Sequence, residues 1–303
     1  MDNELAVPVS ERLTALYLVP HFPPNDALLR LTAQAVSSRV AEPVRSLTLR
    51  LLKAGGVTLK VRPAGRFSER LSGDSGLTTE AAKSVNTAGS FAWFLTMLPP
   101  KPGPVHEWTA RAAAGALAAE SDLPVIDTAT NMIKTADHLL GTLPGAESLA
   151  GTPGGFRLAD WLATPWAEGT ITTRGMSRFG LPELTVSDVP AQEAFVWAFG
   201  LYGIGNRLYS LLRAELRRGS QPAFLAVPAD QFVSPAGIGT ACGMPVGTGR
   251  GLPVQLSLDI TTDLTAQVRV DTPDDWPGGT EAHRKALRAF LVNSAMATLS
   301  PGH

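Results

Sequence analysis

The sequence holds a single cysteine, Cys242, among 303 residues. No intramolecular disulfide and no cysteine-based zinc cluster can be built from it, and a reducing compartment is expected. An excess of charge of either sign is also missing. The chain carries 26 Lys and Arg against 27 Asp and Glu, a formal net charge of −1. A broad phosphate-neutralising field is thereby excluded, so nucleic acid is not an expected partner. Arginines gather at Arg213, Arg217 and Arg218, which reads as the solvated end of a helix, where positive charge suits the dipole. No apolar run reaches the roughly 18 residues that span a bilayer. Met1-Asp2-Asn3-Glu4 lacks the basic and apolar regions of a secretory leader. The expectation is a cytoplasmic protein with no membrane partner. His21, His106, His138, His283 and His303 form no H-x-x-x-H or comparable spacing, so neither a metal nor a cofactor is expected.

What is present is a globular composition, 44% hydrophobic and 17% charged, sufficient for one large domain or two ordinary ones. Residues 1 to 11 read as a loose arm. Leu13–Val19 is short, apolar and β-prone, and Asn25 is placed to cap a helix that buries Leu28, Leu31, Ala35 and Val36. Ser46–Leu52 and Val57–Arg62 both alternate apolar and polar residues around Ala54-Gly55-Gly56, which predicts a hairpin with one wet face. A short helix over Thr78–Thr87 and a central strand over Ser90–Leu98 complete a β-α-β-β-α-β order, the ferredoxin-like pattern. A proline-rich connector leads to an alanine-rich helix over 105–120, then to a short strand over Leu123–Ile126 that ends in Asp127.

The Gly- and Pro-rich run 141–158 places the boundary between two halves, 1–150 and 151–303. The second half is predicted to be a mixed α/β body with antiparallel strands. It holds a short helix near Leu158–Leu162, two strands around a loop within Thr170–Val186, and a long helix over 191–217. A strand near Ala223–Val227, a glycine-rich loop, paired strands Val254–Ile260 and Ala266–Val270, and a final helix over 280–299 follow. The fold class is α/β (α+β).

The stretch Thr170–Val186 concentrates special residues. Gly175 and Gly180 suit backbone angles that side chains forbid, Pro182 stiffens the chain, and Phe179 suits a core. Glu183 is expected to pair with Arg174 or Arg178. Thr173, Gly175, Met176, Phe179, Gly180, Pro182 and Glu183 match a T-x-G-[LM]-x-x-[FY]-G-x-[PE]-[ED] pattern. In this stretch, about a tenth of the chain, the protein resembles uncharacterised bacterial families, and the resemblance implies a soluble bacterial α/β protein without supplying an activity. The steric reading of the stretch is preferred. The functional reading sets Arg174 and Glu183 at the lip of a cleft, binding an anion and moving a proton.

Other candidates divide the same way. His106 suits a base and Glu107 a helix N-terminus, with Arg111 as its i,i+4 partner. Asp127 and Asn131 lie where strand ends face ligands in α/β sheets, although a helix cap is the preferred role for Asp127. Gly237–Gly243, which contains Cys242, and Gly247–Gly251 lack a P-loop's Lys-Ser/Thr ending and read as flexible loops. Gly73-Asp74-Ser75-Gly76 misses the nucleophile elbow, because Leu77 stands where its last glycine belongs.

The leading expectation is a small-ligand-binding or protein-binding role, accessory or regulatory, with Asp127, Asn131, Arg174, Arg178 and Glu183 as candidate contacts. One alternative is a cofactor-independent hydrolase or isomerase using Arg174 with Glu183 or His106. The other is an immunity-type inhibitor of a partner protein.

Overall fold

A computed structural model of the chain describes residues 4–21, 27–64, 79–145, 156–244, 247–261 and 265–299. These fall into two compact units, one within Arg12–Pro99 and Gly103–Gly155, the other within Met1–Glu11, Pro100–Pro102 and Phe156–His303. Both combine helices with largely antiparallel sheet, as the α/β reading expects.

Strand β1 (Glu4–Pro8) belongs to the second unit. The first unit runs β2 (Leu13–Pro20), α1 (Leu28–Arg39), α2 (Val44–Lys53), β3 (Val57–Pro63), α3 (Thr79–Asn86), β4 (Ser90–Leu98), α4 (Val105–Ser121), β5 (Val125–Asp127), β6 (Met132–Lys134) and α5 (Ala136–Gly141). Its strands form one antiparallel sheet in the order β3-β4-β2-β5-β6. Helix α4 is buried without a break from His106 to Ala118. A helix buried on every side is an interior helix, and the alanines of α4 let neighbours approach closely. Tyr17, Val19 and Phe94 from the sheet, Leu28 from α1 and Leu139 from α5 share one core with Ala110, Ala113, Ala114 and Leu117 of α4. Each large apolar side chain so buried contributes about 1.5–3 kcal/mol. The other sheet face carries Leu18, Phe91 and Ile126 with Val85 of α3.

The expected hairpin is corrected here. Ser46–Leu52 lies in α2, so the order reads β-α-α-β-α-β and not the ferredoxin-like β-α-β-β-α-β. The leucines at 47, 49 and 51 do alternate, but Val44, Leu47, Thr48, Leu51 and Leu52 also sit at i, i+3, i+4, i+7 and i+8. Val44, Thr48 and Leu52 are the residues that α2 buries, so the period near 3.6 prevails. Asn25 and Gly73–Gly76 lie outside the described residues.

The second unit follows with β7 (Trp166–Ala167), β8 (Thr170–Thr172), β9 (Glu183–Val186), α6 (Ala194–Arg217), β10 (Phe224–Pro228), β11 (Asp230–Val233), α7 (Pro235–Cys242), β12 (Leu252–Ile260), β13 (Ala266–Asp271) and α8 (Gly279–Leu299). A six-stranded sheet runs β11-β12-β13-β9-β8-β7, with β13 and β9 parallel and the other pairs antiparallel. Residues 4 to 8 are no loose arm, because β1 pairs antiparallel with β10 along its full length. The Gly237–Cys242 stretch is likewise no loop. It forms α7, whose first turn is capped by the Ser234 hydroxyl, 3.0 Å from the Gly237 amide.

Helix α6 continues unbroken through its glycines for a packing reason. A Cβ on Gly205 would lie 3.1 Å from Leu158 and 3.4 Å from Leu184. Helix and sheet therefore approach closely on the face that Leu184 and Val233 present. Register carries that face across the sheet through Val268, Leu256 and Val254, all buried. The alternate residues lie on the opposite face: Asp230 and Phe232 on β11, Gln255, Ser257 and Asp259 on β12, and Gln267, Arg269 and Asp271 on β13.

Candidate functional site

Three clusters bear on function, the first being the turn between β8 and β9. Glu183 Oε1 accepts from the Gly175 amide at 2.9 Å and the Ser177 amide at 3.2 Å. Oε2 accepts from the Met176 amide at 3.1 Å and the Thr173 hydroxyl at 2.8 Å. Thr173 Oγ1 in turn accepts from the Leu184 amide at 2.8 Å. A carboxylate has about four acceptor sites, and these four donors fill them. The expected ion pair of Glu183 with Arg174 or Arg178 is thus replaced by backbone amides.

Gly175 makes the arrangement possible. Its φ is +113°, and a Cβ there would stand 2.7 Å from the Trp161 carbonyl oxygen. Met176 and Phe179 are buried, and the Phe179 ring lies 4.7 Å from that of Tyr209. The two arginines part company. Arg174 is exposed, while Arg178 is buried with its guanidinium 5.8 Å from the Trp161 ring.

The second cluster lies in the first unit, where α4 meets β2 and β5. The Tyr17 hydroxyl donates to Glu107 Oε2 at 2.6 Å and accepts from Arg111 Nε at 3.0 Å. Arg111 also donates to Thr142 Oγ1 at 2.7 Å and lies 3.6 Å from Asp127 Oδ2. Glu107, Arg111 and Asp127 are all 1% exposed or less. Tyr17 thus stands between the two charges expected to meet as an i,i+4 pair. Asp127 Oδ1 accepts from the Ala129 amide at 3.2 Å, which shapes the β5–β6 turn. It caps no helix, because the next element is strand β6; Thr135 caps α5 instead. Asn131 closes the same turn at φ +55°. His106 is buried, and its carbonyl accepts from the Thr96 hydroxyl at 2.9 Å.

Of the residues proposed from the sequence, His106, Asp127 and Asn131 therefore belong to the first unit, and Arg174, Arg178 and Glu183 to the second. Cys242 ends α7 half-buried, its thiol pushed up to about 11 by burial and then by the Asp160 charge. A protonated thiol is a poor nucleophile. Among the described residues, no group of three or more His, Cys, Asp or Glu side chains is placed to hold a metal ion, and no helix is long and apolar enough to cross a membrane.

The third cluster is a groove on the polar face of the six-stranded sheet, about 440 Å³ in volume. Gln255, Ser257, Arg269 and Asp271 form its floor, and Glu4, Thr272 and Asp274 its rim. Ser257 Oγ at 3.0 Å and Arg269 Nε at 2.7 Å both donate to Asp271 Oδ2. Asp271, and more weakly Asp259, hold the Arg269 guanidinium further toward its charged form. His283 fixes the rim from behind. Its Nε2 donates to the Pro253 carbonyl at 2.7 Å, its Nδ1 lies 3.1 Å from the Thr272 hydroxyl, and Trp276 meets it edge-on at 4.9 Å.

None of the groove residues stood out in the sequence. The alternation of Gln255, Ser257 and Asp259 with Val254, Leu256 and Leu258 marks an outward face, but Asp271 joins it only through the pairing of β13 with β12, and Glu4 reaches the groove from β1, a strand of the separate two-stranded sheet. The geometry is that of an α/β protein with a polar groove on a face of its six-stranded sheet. No protein-family model, curated protein or solved structure matches the chain.

Proposed function

We propose that the protein is a binding module and that the open face of its six-stranded sheet is the binding surface. One observation carries this reading: a concave site of about 440 Å³ lies over a floor of polar side chains on rigid strands. That volume falls within the range of about 300–1,000 Å³ usual for ligand sites. The floor is held in place by the shared Asp271 contacts, so little ordering is required when an occupant arrives. Glu183 has no acceptor site left for a substrate proton, which favours binding over proton transfer at the β8–β9 turn.

A thermal-shift screen against a mixed library of metabolites and short peptides, repeated on Ser257→Trp, tests the proposal. The indole fills the groove from its floor without touching the core. Stabilising compounds should lose their effect in this variant. Compounds that stabilise both proteins equally, or a library without a stabilising compound, would count against the groove.

A further inference from the structure

Resting on that reading, the geometry points to a basic, extended peptide segment of a partner protein as the occupant of this face. The charge is lopsided. Among the described residues of β11, β12 and β13 on this face and of the groove lining, Asp230, Asp259 and Asp271 lie on the face and Glu4 and Asp274 on the groove rim, against the guanidinium of Arg269, itself bonded to Asp271. The whole chain is nearly neutral at −1, so this concentration of carboxylates is local. It repels phosphates, which excludes nucleic acid and anionic lipid here, and it attracts Lys and Arg side chains.

A second copy of the chain does not fit. A two-fold contact would set the same acidic patch against itself. An aromatic residue completes the surface. Phe232 is 62% exposed on the same face as Asp230, two residues further along β11 and opposite Pro253. An exposed aromatic ring beside carboxylates suits the stem and head of an arginine or lysine. Length also fits: β12 has nine residues, so the face is about 30 Å long, the span of about nine residues of extended chain.

The test is fluorescence anisotropy at low salt with a labelled nine-residue peptide of alternating Arg and Gly, its Glu and Gly counterpart, and unlabelled spermidine as competitor. The Arg peptide should bind and the Glu peptide should not. Affinity should fall at least tenfold in Asp230→Lys/Asp259→Lys and again as salt rises, and severalfold in Phe232→Ser. These substitutions are at exposed side chains, so the variants should keep the wild-type unfolding midpoint. Equal binding of the charge-reversed variant would overturn the inference. Equally tight binding by spermidine would overturn it in favour of a small cation. An Arg peptide that fails to bind, while a library compound is still lost in Ser257→Trp, would overturn this occupant and leave the binding face standing.

Discussion

The Thr173 hydroxyl and the Glu183 carboxylate meet at 2.8 Å across ten residues of chain, and the amides of Gly175, Met176 and Ser177 converge on the same carboxylate. The turn is therefore closed around its own anion. Removing that anion strands the Gly175, Met176 and Ser177 amides, while the Thr173 hydroxyl keeps only a long contact of 3.5 Å to the Leu184 carbonyl. Glu183→Ala should lower stability by about 2–3 kcal/mol. Urea unfolding checks it, and a loss under about 0.5 kcal/mol would deny the carboxylate this role.

Gly175 and Gly219 separate two causes of glycine dependence. Both have positive φ, +113° and +83°, but only Gly175 is crowded, since nothing stands within 4 Å of a Cβ at Gly219. Gly219→Ala should cost about 1 kcal/mol from backbone strain alone. Gly175→Ala should cost at least about 2 kcal/mol, because the Trp161 carbonyl is backbone and must shift. Equal losses would show that crowding at Gly175 is absent.

The buried Tyr17, Glu107, Arg111 and Asp127 cluster is held around one guanidinium. Arg111→Ala leaves two carboxylates in the interior and should destabilise by about 3–5 kcal/mol. Tyr17→Phe removes one hydroxyl and should cost about 1–3 kcal/mol. Chemical denaturation of both variants orders them, and a milder effect for Arg111→Ala than for Tyr17→Phe would contradict the arrangement.

Alkaline pH should weaken the fold. Burial raises the Cys242 thiol from 9.0 to about 11, and it also raises the phenols of Tyr202 and Tyr209. In each case the folded state keeps a proton that the unfolded state releases first. The stabilisation is whole below about pH 9 and is lost as pH rises through the folded-state values. Unfolding midpoints should fall from pH 9 to 11, with a shallower slope in Cys242→Ser. Iodoacetamide should label Cys242 slowly at pH 8 until urea exposes it. Fast labelling of the folded protein would contradict the raised value.

Much of the fold was legible because periodicity reports burial. The strand β12 and the helix α6 follow from apolar spacing, the strands β2 and β4 from short apolar runs, and the helix α4 from its alanine-rich composition. Ser46–Leu52 misled because three leucines at spacing two overlie a helical set that includes Thr48, a polar residue that α2 buries. The helix α7 was hidden by its glycines, although Ser234 and Pro235 are a helix start signal. The strand β1 was illegible locally, since only its pairing with β10 makes it a strand.

The site was less legible for the same reason. Local chemistry drew attention to Glu183, Arg174 and His106, whereas the groove is assembled by register between β12 and β13 and by the distant Glu4. No spacing rule links Glu4 with Asp271. Asp127 and Arg111 were each conspicuous, but their meeting depends on how α4 lies across β2 and β5.

The most direct measurement is a map of amide chemical shifts as the tightest library compound is titrated into isotopically labelled protein. The largest changes should fall on Asp230–Val233, Leu252–Ile260 and Ala266–Asp271, and should vanish in Ser257→Trp. Changes centred instead on the Thr173–Glu183 turn, or on the buried cluster around Arg111, would contradict the assignment of the sheet face as the binding surface.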